Sequence, residues 1–219
     1  MTEPQIIKLP GGIMVTIQPP LYQQKWWLKH QFYEQPMLEY IRKHYHGGTF
    51  IDGGACIGNH TLWFATFCAE QVIAVEPVER NMTHLRKNLR LSRLNDKVTL
   101  VAAALGAQAG RGAMWHAGQF HGQWDLKDGD EVDVTTLDAI ATLADYPVTL
   151  VKLDIEGSEL AALQGGQELL TTQSPAVIAE AKTAPEVQAT SAFLVRLGYK
   201  RALRFGTRHN YLFTKGEAK

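Results

Sequence analysis

Phe50-Ile51-Asp52-Gly53-Gly54-Ala55-Cys56-Ile57-Gly58-Asn59-His60-Thr61 is the stretch around which the chain is organised. A short apolar run meets an acid, breaks into glycines, and continues as the amphipathic run Leu62, Trp63, Phe64, Ala65 and Phe67. That order predicts a buried strand, a tight turn and a helix, with a ligand held against the helix N-terminus. Glycine removes Cβ where backbone bends sharply or approaches a ligand. A dinucleotide fingerprint needs glycine at its first, third and sixth positions. Counted from Gly53 the third position is Ala55, so a nicotinamide dinucleotide is disfavoured. The pattern present is Asp-x-Gly-x-x-x-Gly, from Asp52, Gly54 and Gly58. A structural turn is the alternative for the glycines taken alone.

Val72-Ile73-Ala74-Val75-Glu76-Pro77 is a second apolar run ending in a carboxylate, about 20 residues on. A carboxylate ending the second strand of such a sheet accepts hydrogen bonds from ribose hydroxyls. The competing role is an acid at a helix start before Pro77. With Ala104-Leu105-Gly106, Thr136-Leu137-Asp138 and Val151-Lys152-Leu153-Asp154-Ile155-Glu156-Gly157-Ser158-Glu159, these stretches resemble the FkbM-type methyltransferases, in the family's order, from about residue 33 to 213. The resemblance implies a transferase that uses S-adenosylmethionine (SAM), leaves S-adenosylhomocysteine (SAH), and methylates a hydroxyl of a sugar, glycan or natural product. It implies a cofactor shell of Asp52, Gly53, Gly54, Cys56, Gly58, Asn59, His60, Thr61, Glu76, Pro77, Ala103 and Asp154. A nicotinamide oxidoreductase and a non-catalytic SAM-binding protein are the competing classes.

The 22 basic and 22 acidic residues among 219 cancel, which argues against a strongly basic nucleic-acid surface. A hydrophobic share of 45% suits a globular α/β domain, read as one unit over residues 1–219. No apolar run approaches the roughly 20 residues that cross a bilayer. The start Met1-Thr2-Glu3-Pro4-Gln5 lacks a signal-peptide pattern, and Cys56 and Cys68 lack metal spacing, so a cytoplasmic protein with reduced thiols is expected.

Residues 1–46 read as a hairpin and cap: Ile6 to Leu9 and Ile13 to Ile17 flank Pro10-Gly11-Gly12, then come the aromatics Trp26, Trp27, Phe32 and Tyr33, and a helix around Met37 to Ile41. The core over 47–214 alternates strand and helix. Strands are expected from Thr49 up to the acid Asp52, and at Val72 to Val75, Val98 to Val101, Val148 to Leu153 and Ala176 to Ala179. Helices are expected at Asn81 to Leu94, Leu137 to Leu143, Gly157 to Gly165 and Ala184 to Leu197. Gly110 to Glu131 interrupts that alternation as a hairpin or flap, with Val132 to Thr136 a separate strand. Tyr199 to Phe205 and Asn210 to Thr214 form a terminal antiparallel pair. The result is a Rossmann-like, doubly wound, mostly parallel sheet of seven strands.

Asp52, Glu76, Asp154 and Glu180 all fall at expected strand ends, where ligands bind in such sheets. Asp154 is the first candidate general base. Lys152 shares its face by two-residue alternation and should pair with Asp154, Glu156 or Glu180, or stabilise a developing alkoxide. His209 is a second candidate base. His60 is a base or, in preference, a packing residue of the cofactor shell. Glu156, Glu180, Trp115, His116 and His121 are candidate acceptor contacts. Asp154, Glu156 and Glu180 offer oxygen ligands, but no metal is required by this reading.

Overall fold

In the computed structural model, residues 3–8, 14–18, 32–116, 124–206 and 209–216 are described. Strands β1 (Gln5–Lys8) and β2 (Met14–Ile17) form the expected hairpin. Trp26 and Trp27 lie outside the described residues. Helix α1 (Gln35–His44) has proline in its first turn, buries Met37, Leu38 and Ile41, and ends in Arg42, Lys43 and His44, which suit the negative end of its dipole.

The core then runs β3 (Thr49–Gly53), α2 (Asn59–Phe67), β4 (Gln71–Val75), α3 (Glu79–Ser92) and β5 (Val98–Val101). After the short β6 (Ala104–Leu105), β7 (Gly110–His116) and β8 (Trp124–Thr135), it resumes with α4 (Leu137–Ala141) and β9 (Val148–Leu153). Helices α5 (Glu159–Gln164) and α6 (Gln167–Thr172) lead to β10 (Ala176–Glu180), α7 (Ala184–Arg196), β11 (Lys200–Phe205) and β12 (Asn210–Thr214). Seven strands share one sheet in the order β11-β12-β10-β9-β3-β4-β5. Strands β9, β10, β3, β4 and β5 are parallel, and β12 is antiparallel to β10 and β11. The fold class read from the sequence therefore holds.

Helices cover both faces, so the central strands are buried on both sides and read as mostly apolar runs. Phe50, Leu150 and Ile178 pack with α1, α2 and α3 on one face. Ile51, Val151 and Val177 pack with α4, α5, α6 and α7 on the other. Among the described residues no helix is long and apolar enough to cross a membrane.

The short β6 had no expected counterpart, and two larger elements also differ from expectation. The strand expected at Val132 to Thr136 is the end of one longer strand, β8, which pairs with β7 from Gly110↔Val134 to His116↔Trp124. The described part of the 110–131 segment is thus a hairpin in a separate sheet, ordered β6-β8-β7, and its tip lies outside the described residues. Cross-strand charge favours that pairing, with Arg111 2.9 Å from Glu131 and 3.9 Å from Asp133. The second difference is α6, which had no expected counterpart because only Leu169 and Leu170 of its six residues are buried.

Candidate active site

Register decides which charges meet at the ends of the central strands. Asp52 on β3 stands opposite Lys152 on β9. Lys152 Nζ lies 3.2 Å from Asp52 Oδ1 and 4.0 Å from Asp154 Oδ2. Asp52, rather than Asp154, Glu156 or Glu180, is therefore the principal partner. Neighbouring strands are about 4.8 Å apart, closer than side chains two residues apart along one strand. Both groups are sealed, with side-chain exposures of 1% for Lys152 and 0% for Asp52. Burial opposes the Lys152 ammonium, but Asp52 and then Asp154 outweigh it and hold its pKa above the usual range. Burial also opposes ionisation of Asp52; Lys152, His60 and the Thr61 hydroxyl together hold its pKa below the usual range. Thr61 Oγ1 donates to Asp52 Oδ2 at 2.6 Å. The ammonium also donates to the carbonyls of Gly53 and Gly54, at 3.3 and 3.4 Å. Acid, lysine and glycine turn form one unit.

The spacing of the turn has steric causes. Gly54 has φ +77°, and a Cβ there would lie 2.0 Å from the Asp154 carbonyl oxygen. Gly58 has φ +101° at the start of α2, where a Cβ would meet Leu85 at 2.7 Å. No side chain fits either position without moving backbone or core.

Glu76 follows β4 and faces this turn. It accepts hydrogen bonds from the backbone N–H of Cys56 at 2.8 Å and of Val78 at 2.9 Å, and from Asn81 at 3.2 Å. It is 4% exposed and so is buried, although it stands at a strand end. Burial raises its pKa, and the two backbone donors offset part of that rise. A carboxylate offers about four lone-pair sites, so room remains for a ligand hydroxyl. Glu76→Ala is expected to weaken SAH binding about 10- to 100-fold by loss of charged hydrogen bonds. Because it removes the acceptor of two part-buried N–H groups, it should also cost on the order of 1 kcal/mol in urea unfolding. Unchanged SAH affinity by calorimetry would remove Glu76 from the site.

Asn59 and His60 are both engaged by the segment that precedes α1. Asn59 exchanges two hydrogen bonds with the backbone of Tyr33, at 2.9 and 3.0 Å. His60 Nε2 lies 3.1 Å from Glu34 Oε2, and Glu34 Oε1 accepts from Asn210 Nδ2 at 2.6 Å. Glu34 precedes α1 with φ +58° and makes no side-chain cap bond to it. Its carboxylate is 5% exposed and ties the N-terminal segment to α2 and β12. Sequence reasoning missed Glu34 and Asn210. An acid two residues before Pro36 reads as an ordinary helix-start residue, and only tertiary packing brings it over the sheet.

The acid rim lies on the other side of Lys152. Ala179 pairs with Leu153, which sets Glu180 beside Asp154 one residue further on. Asp154 keeps a side-chain exposure of 24%. Lys182 bridges the carboxylates of Glu156 and, at 3.2 Å, Glu180. Burial first, then the neighbouring Asp154, push the Glu180 pKa up to about 8 despite Lys182. The folded protein therefore holds this proton more tightly than the unfolded chain. The resulting stabilisation is complete below pH 4.5 and is lost as the pH rises through about 8. Glu180→Gln, which mimics the protonated form, should flatten the fall in melting temperature across that window. A profile identical to that of the wild type would refute the assignment.

The remaining expected residues divide. Ala103 is buried just beyond β5. His209, with φ +60°, accepts a hydrogen bond from Ala181 N at its carbonyl and lines a groove with Lys182. Trp115 and His116 sit on β7 in the separate sheet, and His121 lies outside the described residues. Among the described residues no group of three or more acidic, histidine or cysteine side chains is placed to hold a metal ion.

Comparison with known proteins was made at the levels of family, sequence and fold. The family model described as the methyltransferase FkbM domain matches residues 52–201. A sequence search of curated proteins gives no significant match. Among solved structures, a methyltransferase FkbM from Methylobacillus flagellatus superimposes with a TM-score of 0.60 at 20% identity, over 81% of this chain and 50% of that one. This chain thus spans about half the length of that protein. A SAM-dependent O-methyltransferase from Thermotoga maritima gives 0.53 at 15% identity, over 95% and 76% of the two chains. A proposed rRNA methylase from Clostridium thermocellum gives 0.53 at 17%, over 84% and 94%. The three structural likenesses speak for the fold, while the family match spans the glycine turn, Glu76, the Lys152 strand and the acid rim. The chain belongs to the FkbM methyltransferase family.

Proposed function

We propose that this methyltransferase moves the methyl group of SAM onto a hydroxyl of a small molecule, sugar or glycan. SAM, when bound, supplies an electrophilic methyl carbon on a sulfonium. Glu76 and the Gly53 to Cys56 turn would hold its ribose and amino-acid ends. Asp154 would accept the hydroxyl proton as the new carbon–oxygen bond forms.

The observation that carries this reading is the contrast between neighbouring carboxyl groups. Asp52 is sealed and committed to Lys152, whereas Asp154 is partly open at the same strand ends. Glu180, whose pKa is raised to about 8 by burial and then by the neighbouring Asp154, stands beside it on the next strand. A neutral hydroxyl is a poor nucleophile, so a positioned base is worth roughly 10²- to 10⁴-fold.

The test is incubation with methyl-labelled SAM and fractionated cell extract. Label is expected in nuclease-resistant, low-molecular-weight or glycan material, and it should survive mild alkali as an ether does. Label confined to RNA would overturn the choice of acceptor. Alkali-labile label would indicate a carboxyl acceptor instead.

A further inference from the structure

A groove of about 680 Å³ lies beyond Lys182, between α7 and the terminal hairpin. Its helical wall is one face of α7, with Ala184, Val187, Gln188 and Ser191 at spacings of three and four residues. Its sheet wall carries Arg201, Arg204 and Tyr211, and Lys182 and His209 stand at the end nearest the acid rim.

The two arginines share that wall because of a defect in the strand. Residues three apart in a regular strand point to opposite faces. Here Arg201 pairs with Phe213 and Leu203 with Leu212, so two residues of β11 oppose one of β12. The extra residue returns Arg204, opposite Tyr211, to the face that carries Arg201. Their guanidinium carbons lie 5.6 and 5.7 Å from the centroid of the one Tyr211 ring.

Among the described residues, no carboxylate lies within ion-pair distance of Arg201 or Arg204. Two like charges gathered over one ring repel each other, and the ring offsets this only in part. The arrangement is complementary to a ligand carrying about two negative charges. A phosphate group meets that need and the fork geometry of guanidinium, whereas one carboxylate would neutralise only one arginine.

We propose that this groove is the acceptor's anchoring subsite, and that the acceptor is a small hydroxyl compound bearing a phosphate group, such as a phosphorylated sugar. The groove holds the phosphate at Arg201 and Arg204. The sugar then extends past Lys182 and His209 towards Asp154. The direction of that extension rests on the methyltransferase reading above; the anion site does not.

Calorimetric titration with glucose 6-phosphate, pyrophosphate and neutral glucose tests the proposal. Both phosphate compounds should bind the wild-type protein, and glucose should not. Arg201→Gln with Arg204→Gln should weaken phosphate binding by about 10- to 100-fold. Both side chains are exposed on an edge strand, so SAH affinity should be unchanged in the double variant. The single reversal Arg204→Glu should weaken phosphate binding at least as much. Failure of the wild type to bind either phosphate compound, or equal binding by the variants, would overturn the proposal. Tighter binding of a short single-stranded RNA than of glucose 6-phosphate, lost in the same variants, would also overturn it in favour of a nucleic-acid backbone. SAH titration of the wild type reports separately on the methyltransferase reading.

Discussion

Lys152→Met is expected to cost about 3–5 kcal/mol of folding stability, the scale for breaking a buried ion pair by removing one partner. Asp52 would be left as a carboxylate with 0% exposure and, among the described residues, the Thr61 hydroxyl as its remaining side-chain hydrogen-bond partner. Such a group must either stay charged in a poor environment or take up a proton at neutral pH. The damage should extend to cofactor binding, because the Lys152 ammonium also holds the carbonyls of Gly53 and Gly54. Urea unfolding and SAH calorimetry would both register the change. The pair Asp52→Leu with Lys152→Met should recover much of the stability, since apolar replacement of a whole buried pair is often neutral or better. It should not recover SAH affinity, because the turn would still lack its ammonium. A single-variant cost below about 1 kcal/mol would mean that the pair behaves as a surface salt bridge, contrary to its burial.

That network marks the boundary of what the sequence makes legible. Local demands on backbone are written in it. Gly54 and Gly58 occupy positive-φ positions where a Cβ collides, so the spacing Asp-x-Gly-x-x-x-Gly announces the turn. The apolar run at β9 announces a strand buried on both faces, and a lysine inside it announces a buried charge in need of a partner. The identity of that partner is a matter of register between strands some hundred residues apart, and two-residue alternation points to Asp154 when the cross-strand neighbour is Asp52. Glu34 is hidden for a related reason: its tie to His60 and Asn210 depends on how three separate elements pack. The irregularity between Arg201 and Leu203 leaves no local mark either, because neither residue nor the intervening Ala202 is one that bulges require. Backbone geometry fixed by single residues can be read directly, whereas side-chain encounters fixed by pairing cannot.

Asp154→Asn should lower turnover by about 10²-fold or more, the contribution expected of a positioned base. Asparagine keeps the shape at the end of β9 but does not accept the hydroxyl proton. Asp154 contributes to the raised Lys152 pKa only after Asp52, and it lies 4.0 Å from the ammonium, so the substitution leaves the principal ion pair whole. Stability and SAH affinity should therefore change little, which separates this variant from Lys152→Met. The neighbouring carboxyl provides a second readout. Asp154 is the largest influence on Glu180 after burial, and its removal as a charge should lower the Glu180 pKa from about 8 towards the ordinary range. The pH dependence of stability between 4.5 and 8 should then flatten in Asp154→Asn, in parallel with the loss of turnover. Retention of turnover in Asp154→Asn, together with its loss in His209→Ala, would move the base to the start of β12. In that case the proton would leave towards the arginine groove, and the acid rim would serve only to hold Lys182.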